Sequence, residues 1–341
     1  MTKIAIITDS ASDMHDELRS KYDIHVAPLV VRFGTEEHLT CDLSHDEFWT
    51  RTRAAPPYPG TSQPSVGQFE KAHAEQGEQV VCVTVTSKHS GTHNSAGTAA
   101  QGFPGQVTVF DSHSLSQSQS YMAIRAAQAA AEGHSVKEIV ALLESLRERT
   151  HFFLMLDTIE FLRRGGRADR IMTMLERIVR VLSVKPVVQF VDGELSPFGA
   201  TRSREKAITK IQQEVRQRAP AELLCGICTQ GGGDETRRMV RTLAEELDFP
   251  EDQMLIGEAG PVLSCHGGPG VIAAAIVQRQ AWEQGDPSSS LGLRPIMTLS
   301  RRQPIGSWAG GLSFCVQRGR RTPSRAAPTL RCPFGLARVC S

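Results

Sequence analysis

Three short segments of the 341-residue chain place hydroxyl or imidazole side chains beside glycine, where a helix is predicted to begin. One contains Thr61, the second contains Ser90 and Gly91, and the third is His266 with Gly267–Gly270. The first turn of a helix carries unpaired N–H groups and the positive end of the helix dipole, so it can hold an anion. The hydroxyl groups of Thr61 and Ser90 and a ring N–H of His266 are suitable donors to a carboxylate or a phosphate.

Each of these hydroxyl groups also has a simpler explanation. Serine and threonine are common helix caps, and taken singly Thr61 and Ser90 are better explained in that way. The combination of three segments favours a binding site, because ligands of open α/β sheets gather outside the carboxyl ends of the strands. The sequence therefore predicts an anion-binding site that several loops build together.

Two alternative functions use the same residues: a sensor for another small anion, and a nucleophilic enzyme. Ser90 could act as a nucleophile with His266 as its base. Ser90 does not lie in a Gly-x-Ser-x-Gly pattern, and no acid that would orient the imidazole can be identified, so a hydrolase is the weaker hypothesis. Gly231–Gly233 could cradle a phosphate, but no Lys-Ser or Lys-Thr follows as in a P-loop.

The cysteines do not predict a metal site. Cys225 and Cys228 form the only pair with a C-x-x-C spacing, and a zinc ribbon would need a second such pair. Several cysteines lie in apolar segments, as reduced and buried thiols do. We therefore expect no metal ion at the cysteines, and no motif of the chain predicts a bound cofactor.

The charge is unevenly distributed along the chain. The formal net charge is +1, but residues 278–341 carry +8, with ten Arg and no Lys, and the rest carries −7. An acidic body argues against nucleic acid as the main partner. No apolar run approaches the ~18 residues of a membrane span, and the apolar start is too short for a signal peptide. We expect a cytoplasmic protein without an integral membrane segment.

Strands and helices alternate in the first half of the chain, which predicts an α/β fold with a largely parallel sheet. The pattern changes near Thr150, so we predict an N-terminal α/β domain over 1–150 and a C-terminal α/β domain over 151–280. The tail, 281–341, is rich in Arg, Pro, Gly and Ser and is predicted to be disordered. The main predicted elements are strands at Lys3–Thr8, His25–Phe33, Gln79–Thr86 and Gln106–Phe110, helices at Tyr121–Ala131, Ile171–Leu182 and Val271–Gln280, and a hairpin of Pro186–Val191 with Glu194–Thr201. The segments Val262–His266 and Gly267–Gly270 lead into the last of these helices.

The segment Arg163–Arg167 is a compact basic turn with two adjacent glycines. It can be the end of a helix, with basic side chains near the negative end of the dipole. It can equally be a docking or phosphate-contacting site. The residues alone do not favour either interpretation.

Seven short motifs follow one another in a fixed order over roughly residues 3 to 278: Thr8–Asp13, Thr61–Ser65, Ser90–Ala96, Val109–Ser112, Gly165–Arg167, Lys185–Pro186 and His266–Gly270. Each motif is weak by itself, but the ordered set is specific. In this order the motifs resemble those of the DegV family, the fatty-acid-binding proteins of bacterial fatty acid kinase systems.

The resemblance implies two α/β domains with a long-chain fatty acid in a cleft between them. The carboxylate would meet Thr61, Ser90 and His266, with backbone N–H groups such as that of Gly91 nearby. A separate ATP-dependent kinase subunit would phosphorylate the bound acid to an acyl phosphate, so this chain would be a lipid-binding subunit and not itself an enzyme. Arg167 matches a family position associated with kinase engagement, and we expect it to dock the partner.

The chain departs from the family pattern in three places. A run of Ser and Gln, Ser114–Ser120, stands where the family usually has a glycine. The helix that contains Glu176, Arg177 and Arg180 is more charged than its usual counterpart. Both changes could alter the depth of the pocket or the preferred acyl chain, and the last ~60 residues match nothing in the family.

Overall fold

A computed structural model of the chain describes residues 3–54, 58–76, 79–166, 171–176 and 184–280. The predicted disordered tail, 281–341, lies outside the described residues, and so does the part of the predicted helix Ile171–Leu182 that follows residue 176. Within the described ranges, no helix combines the length and the apolar character needed to cross a membrane.

The elements alternate in type through most of the chain. The strands are β1 (Ile4–Asp9), β2 (Ile24–Ala27), β3 (Val30–Phe33), β4 (Glu36–Leu39), β5 (Pro59–Ser62), β6 (Gln79–Thr84), β7 (Val107–Asp111), β8 (Thr150–Met155), β9 (Lys185–Val191), β10 (Glu194–Thr201), β11 (Ala221–Cys228), β12 (Leu255–Glu258) and β13 (Ile272–Gln278). The helices are α1 (Asp16–Lys21), α2 (His45–Ala54), α3 (Val66–Gln76), α4 (Thr92–Ala100), α5 (Ser116–Ala131), α6 (Val136–Arg149), α7 (Glu160–Gly165), α8 (which includes 171–176), α9 (Arg204–Arg216), α10 (Gly233–Glu246) and α11 (Pro261–Gly267).

The first half of the chain forms a parallel sheet in the order β2-β1-β6-β7. Strands β1 and β6 are apolar along almost their whole length because both faces of the sheet are covered. Ile7 of β1 packs against α3 and α4 on one face, and Ile6 packs against α5 on the other. The predicted α/β fold with a parallel sheet is confirmed here.

A small antiparallel sheet, β4-β3-β5, stands beside the parallel one. The prediction of one continuous strand over His25–Phe33 was wrong, because the chain leaves the first sheet after Ala27 and enters the small sheet at Val30. Pro28 separates the two strands, since proline has no N–H to donate to a ladder. The small sheet matters for the site because β3 pairs with β5, which carries Thr61.

The second half of the chain forms a six-stranded sheet in the order β10-β9-β8-β13-β11-β12. Only β11 and β12 are parallel within it, and the other neighbours are antiparallel. The predicted hairpin of β9 and β10 is confirmed. The expectation of a largely parallel sheet therefore applies to the first half alone.

The predicted helix after residue 266 was of the wrong type. The segment Val262–His266, which was expected to lead into that helix, itself lies in the helix α11, which begins at Pro261. The segment Val271–Gln280 was predicted as a helix and contains the strand β13, between β8 and β11. A short, wholly apolar run has no clear period, so the tertiary environment decides whether it becomes a helix or a central strand.

The long helix α5 lies between the two large sheets. One hydrophobic cluster joins residues of α5 to Ile6 of the first sheet and to Leu223 and Ala275 of the second. The helix begins at Ser116, five residues before the predicted start at Tyr121, and its polar first turns are buried. The described residues all belong to one compact unit. The domain boundary near Thr150 stays a prediction.

Candidate functional site

A cavity lies where β5, the start of α4, α11 and the β9–β10 hairpin come together. It measures about 580 Å³, including the part that is open to solvent. Its wall is mostly apolar, and Leu29, Val85, Phe190 and Val262 are among the residues that form it. The polar residues of the wall are Thr61, Ser62, Gln63, Thr86, His89, Ser90 and His266. The cavity thus joins an apolar space to a set of hydrogen-bonding side chains, as small-molecule sites do.

Thr61 and His266 meet directly in this wall. Oγ1 of Thr61 lies 2.8 Å from Nε2 of His266, although 205 residues separate them in sequence. Thr61 is placed by β5, where it pairs with Val31 of β3, and His266 is placed by the last turn of α11. The fold therefore brings together two of the side chains that the sequence predicted for one site.

Ser90 reaches the same cavity from the turn before α4. Its Oγ lies 2.8 Å from Oγ1 of Thr92 and accepts a hydrogen bond from the Thr92 N–H at 3.3 Å. Gly91 is the residue that precedes α4, and it lies beneath the side chain of Gln63. A Cβ at Gly91 would stand 2.8 Å from Nε2 of Gln63, so a larger residue there would displace the end of the Gln63 side chain from the cavity wall.

The predicted helix starts are only partly present. Ser90 and Gly91 do precede a helix, but Thr61 lies on a strand and His266 lies near the carboxyl end of α11. The positive end of a helix dipole is therefore available at α4 and not at His266. Any attraction of an anion to His266 must come from the imidazole N–H itself.

Helix α7 supports His266 from behind. Its last residue, Gly165, packs so closely on the imidazole that a Cβ there would overlap with Nδ1 of His266. Gly166 then ends the helix with φ 60°, in the left-handed region that glycine favours. Arg163 and Arg164 both pair with Glu160 on the same helix. The helix-end interpretation of the basic turn is confirmed, and Arg167 lies outside the described residues.

The β9–β10 hairpin forms a wall that sequence reasoning did not assign. The Leu195 N–H donates to Nε2 of His89 at 2.9 Å, and Oγ1 of Thr86 donates to the Gly193 carbonyl at 2.7 Å. Both bonds join the hairpin to the loop that contains Ser90. Local sequence patterns do not predict contacts between segments that are about a hundred residues apart. The position of the hairpin against the Ser90 loop is therefore seen only in the folded structure.

A buried carboxyl group supports the wall beside Ala11 and Val85. Asp9 ends β1, and its two oxygens accept hydrogen bonds from the N–H groups of Ala11 at 2.9 Å and Val85 at 2.7 Å. Burial raises the pKa of Asp9 to about 6, against the lowering effect of these hydrogen bonds. Asp9 thereby holds two cavity residues, and it caps the short 3-10 turn Ser10–Ser12 that follows β1.

The two cysteines with the C-x-x-C spacing are free, buried thiols. Cys225 and Cys228 are both buried in β11, and burial raises the pKa of Cys228 to about 12 and that of Cys225 further. Such thiols stay protonated and behave as small apolar side chains. Within the described ranges, no group of three or more His, Cys, Asp or Glu residues is arranged to hold a metal ion.

Comparison with known proteins shows the same family along almost the whole described chain. The family model described as "Uncharacterised protein, DegV family" matches residues 3–279. A DegV domain-containing protein of Deinococcus radiodurans is 33% identical over 281 residues, covering 80% of this chain and 98% of that protein.

Solved structures agree with the sequence comparison. A DegV family protein from Thermus thermophilus, described for its fatty acid binding, is 29% identical, with a TM-score of 0.74 and coverage of 82% of this chain and 100% of its own. A Thermotoga maritima protein described as having a fatty acid binding function is 26% identical, with a TM-score of 0.69 and the same coverage. On the matched motifs, the fold and the family model, this chain belongs to the DegV family.

Proposed function

We propose that this protein binds a long-chain fatty acid in the cavity, with the carboxylate held by Thr61, Ser90, His266 and the N–H of Gly91. The observation that carries the proposal is the meeting of Thr61 and His266, 2.8 Å apart, in the wall of a mostly apolar cavity that also receives Ser90. The fatty acid binding described for the similar Thermus and Thermotoga proteins supports the same ligand class.

The two ends of a fatty acid have opposite requirements, and the cavity contains groups for both. Each methylene that leaves water for the apolar wall contributes about 0.8 kcal/mol. An ionised carboxylate cannot leave water without donors, because an unpaired buried charge costs far more than the chain gains. Hydroxyl and imidazole N–H groups at one part of the wall meet that requirement.

Native mass spectrometry of the purified protein tests the proposal directly. A carrier should retain a non-covalent mass equal to palmitic or stearic acid, and this mass should disappear on denaturation. The alternative, a hydrolase that uses Ser90 and His266, would instead show an acyl group attached to Ser90 after incubation with an activated ester. A protein that retains no lipid and takes up none from a palmitate solution would contradict the carrier function.

We further propose that the bound acid is presented to a separate, ATP-dependent kinase subunit in the cytoplasm. The ordered set of family motifs supports this proposal. One of these motifs is Gly165–Arg167, whose last residue, Arg167, is the position that the resemblance links to kinase engagement. A guanidinium presents a planar set of donors that suits a phosphoryl group or an acidic partner.

Arg167→Ala should leave the affinity for palmitate unchanged and slow the kinase-dependent transfer of phosphate from ATP at least about tenfold, the usual consequence of losing a charge-assisted hydrogen bond. Radiolabelled ATP with the kinase subunit measures the transfer. The matched control is Arg163→Ala, since Arg163 is a neighbouring, exposed arginine that pairs with Glu160. Equal losses of lipid binding and transfer in Arg167→Ala would make it a pocket residue and not a docking residue.

A further inference from the structure

The helix α11 supplies three side chains to the cavity wall: Val262, Leu263 and His266. It has only seven residues, and a helix of this length is not stable on its own in water. Its position must therefore come from contacts at its ends and along its buried side. The contact at its beginning comes from the opposite end of the sequence.

Asp13 is partly buried and joins α11 to the N-terminal half. Its Oδ1 accepts a hydrogen bond from the N–H of Gly260, directly before α11, at 2.9 Å. Its Oδ2 accepts a hydrogen bond from the Ser116 hydroxyl at the start of α5, at 2.6 Å. The Asp13 carbonyl accepts a third from Nε2 of Gln117 at 3.0 Å. One residue thus bridges α5 and α11.

The backbone around this bridge is demanding. Asp13 has φ 47°, in the left-handed region, which costs energy for a residue other than glycine. A Cβ at Gly260 would stand 2.9 Å from Oδ1 of Asp13, so a larger residue would push on the carboxyl group. The surrounding contacts maintain both features, which indicates that the position of the Asp13 carboxyl group is closely determined.

We propose that Asp13 is a positioning residue of the binding site: by holding the first turn of α11, it determines where His266 and the two apolar side chains lie in the cavity. The identity of the ligand depends on the function proposed above, whereas the positioning of α11 by Asp13 does not. The acceptor oxygen performs this role, and the charge is dispensable. In support, burial and the nearby Asp9 carboxyl group raise the pKa of Asp13 to about 7, so a neutral form is readily reached.

Two substitutions separate the acceptor from the charge. Asp13→Asn keeps a carbonyl oxygen for the Gly260 N–H, whereas Asp13→Leu has nearly the same shape and no acceptor. Leu also tolerates the left-handed backbone less well than Asn, so Gly260→Ala, which leaves residue 13 unchanged, separates the loss of the bond from backbone strain. We expect Asp13→Asn to bind palmitate within about threefold of the parent, and Asp13→Leu to bind it at least about tenfold more weakly, the worth of a lost buried hydrogen bond. Gly260→Ala disturbs the same bond from its other side and serves if Asp13→Leu does not fold.

A second measurement needs no ligand. In protein labelled with ¹³C-histidine, the ring signal of His266, identified by its loss in His266→Gln, should shift in Asp13→Leu or Gly260→Ala and keep its position in Asp13→Asn. Val215→Ala is the control for general destabilisation, because Val215 packs in a cluster of buried residues that contains no member of α11. It should leave the His266 signal unchanged.

The two measurements, palmitate affinity and the His266 ring signal, also distinguish failure of this proposal from failure of the proposed function. If the parent does not bind palmitate, the lipid-binding function fails, and the His266 signal still tests the positioning. An unshifted His266 signal in folded Asp13→Leu and Gly260→Ala would overturn the positioning role. Weak palmitate binding by Asp13→Asn, equal to that of Asp13→Leu, would overturn the assignment to the acceptor oxygen.

Discussion

A protein that carries Thr61→Ala and Ser90→Ala together should bind palmitate at least about tenfold more weakly than the parent and remain folded. A hydrogen bond to a charged group is worth about 1.5–3 kcal/mol, and the double variant removes two donors. Thr61→Ala also removes the bond between Oγ1 and Nε2 of His266, so the imidazole loses one of the contacts that orient it. Isothermal titration calorimetry gives the affinities, and thermal unfolding confirms the fold.

A fatty alcohol and a distant threonine provide the controls. Hexadecanol brings no charge to the cavity, so its affinity should fall much less than that of palmitate. Thr98→Ala removes a hydroxyl from the exposed side of α4, where Thr98 bonds the Asn94 carbonyl, and it should bind palmitate like the parent. If the double variant binds palmitate as tightly as the parent does, the carboxylate is held elsewhere.

Gly165→Ala should weaken palmitate binding at least about tenfold through a single added methyl group. The new Cβ would overlap with Nδ1 of His266, so either the imidazole or the end of α7 must move. If the imidazole moves, the carboxylate loses one hydrogen-bond donor. The loss of one hydrogen bond to a charged group is enough to reduce the palmitate affinity about tenfold. The same calorimetric titration measures the effect.

A second background makes this result specific to His266. In a His266→Ala protein there is no ring to displace, so adding Gly165→Ala should have no further effect on palmitate affinity. Gly97→Ala is the matched control, because Gly97 lies inside α4 with nothing within 4 Å of the added Cβ. It should bind normally and be slightly more stable, since alanine is the better helix former. Additive losses from Gly165→Ala and His266→Ala would show that the methyl group acts by another route.

The residue types of the site could be read from the sequence, but their arrangement could not. Thr61, Ser90 and His266 were singled out as donors to an anion, and the fold places all three in one cavity wall. The reason given for His266 was wrong, because it ends a helix instead of beginning one. Donor chemistry belongs to a side chain, whereas the direction of a helix dipole at a residue depends on which neighbours become helical.

The same division applies to the secondary structure. Where the sequence contains a clear turn, as at Asp192–Gly193 in the β9–β10 hairpin, prediction and structure agree. Where a run is wholly apolar, as in β13, the pattern is compatible with both a buried helix and a central strand. The segment becomes a strand because β8 and β11 both offer it backbone hydrogen-bonding partners. Those partners lie elsewhere in the chain, so the segment alone does not reveal them.

By itself, therefore, the sequence determined the α/β character of the first half, the β9–β10 hairpin, the donors of the candidate site and, through its ordered motifs, the DegV family. Tertiary structure alone decided the pairing of Thr61 with His266, the packing of Gly165 on the imidazole, and the bridge from Asp13 to Gly260. The physical reason is sequence separation. Periodicity and capping act over a few residues, whereas these contacts join segments that meet only after both sheets and α5 have packed.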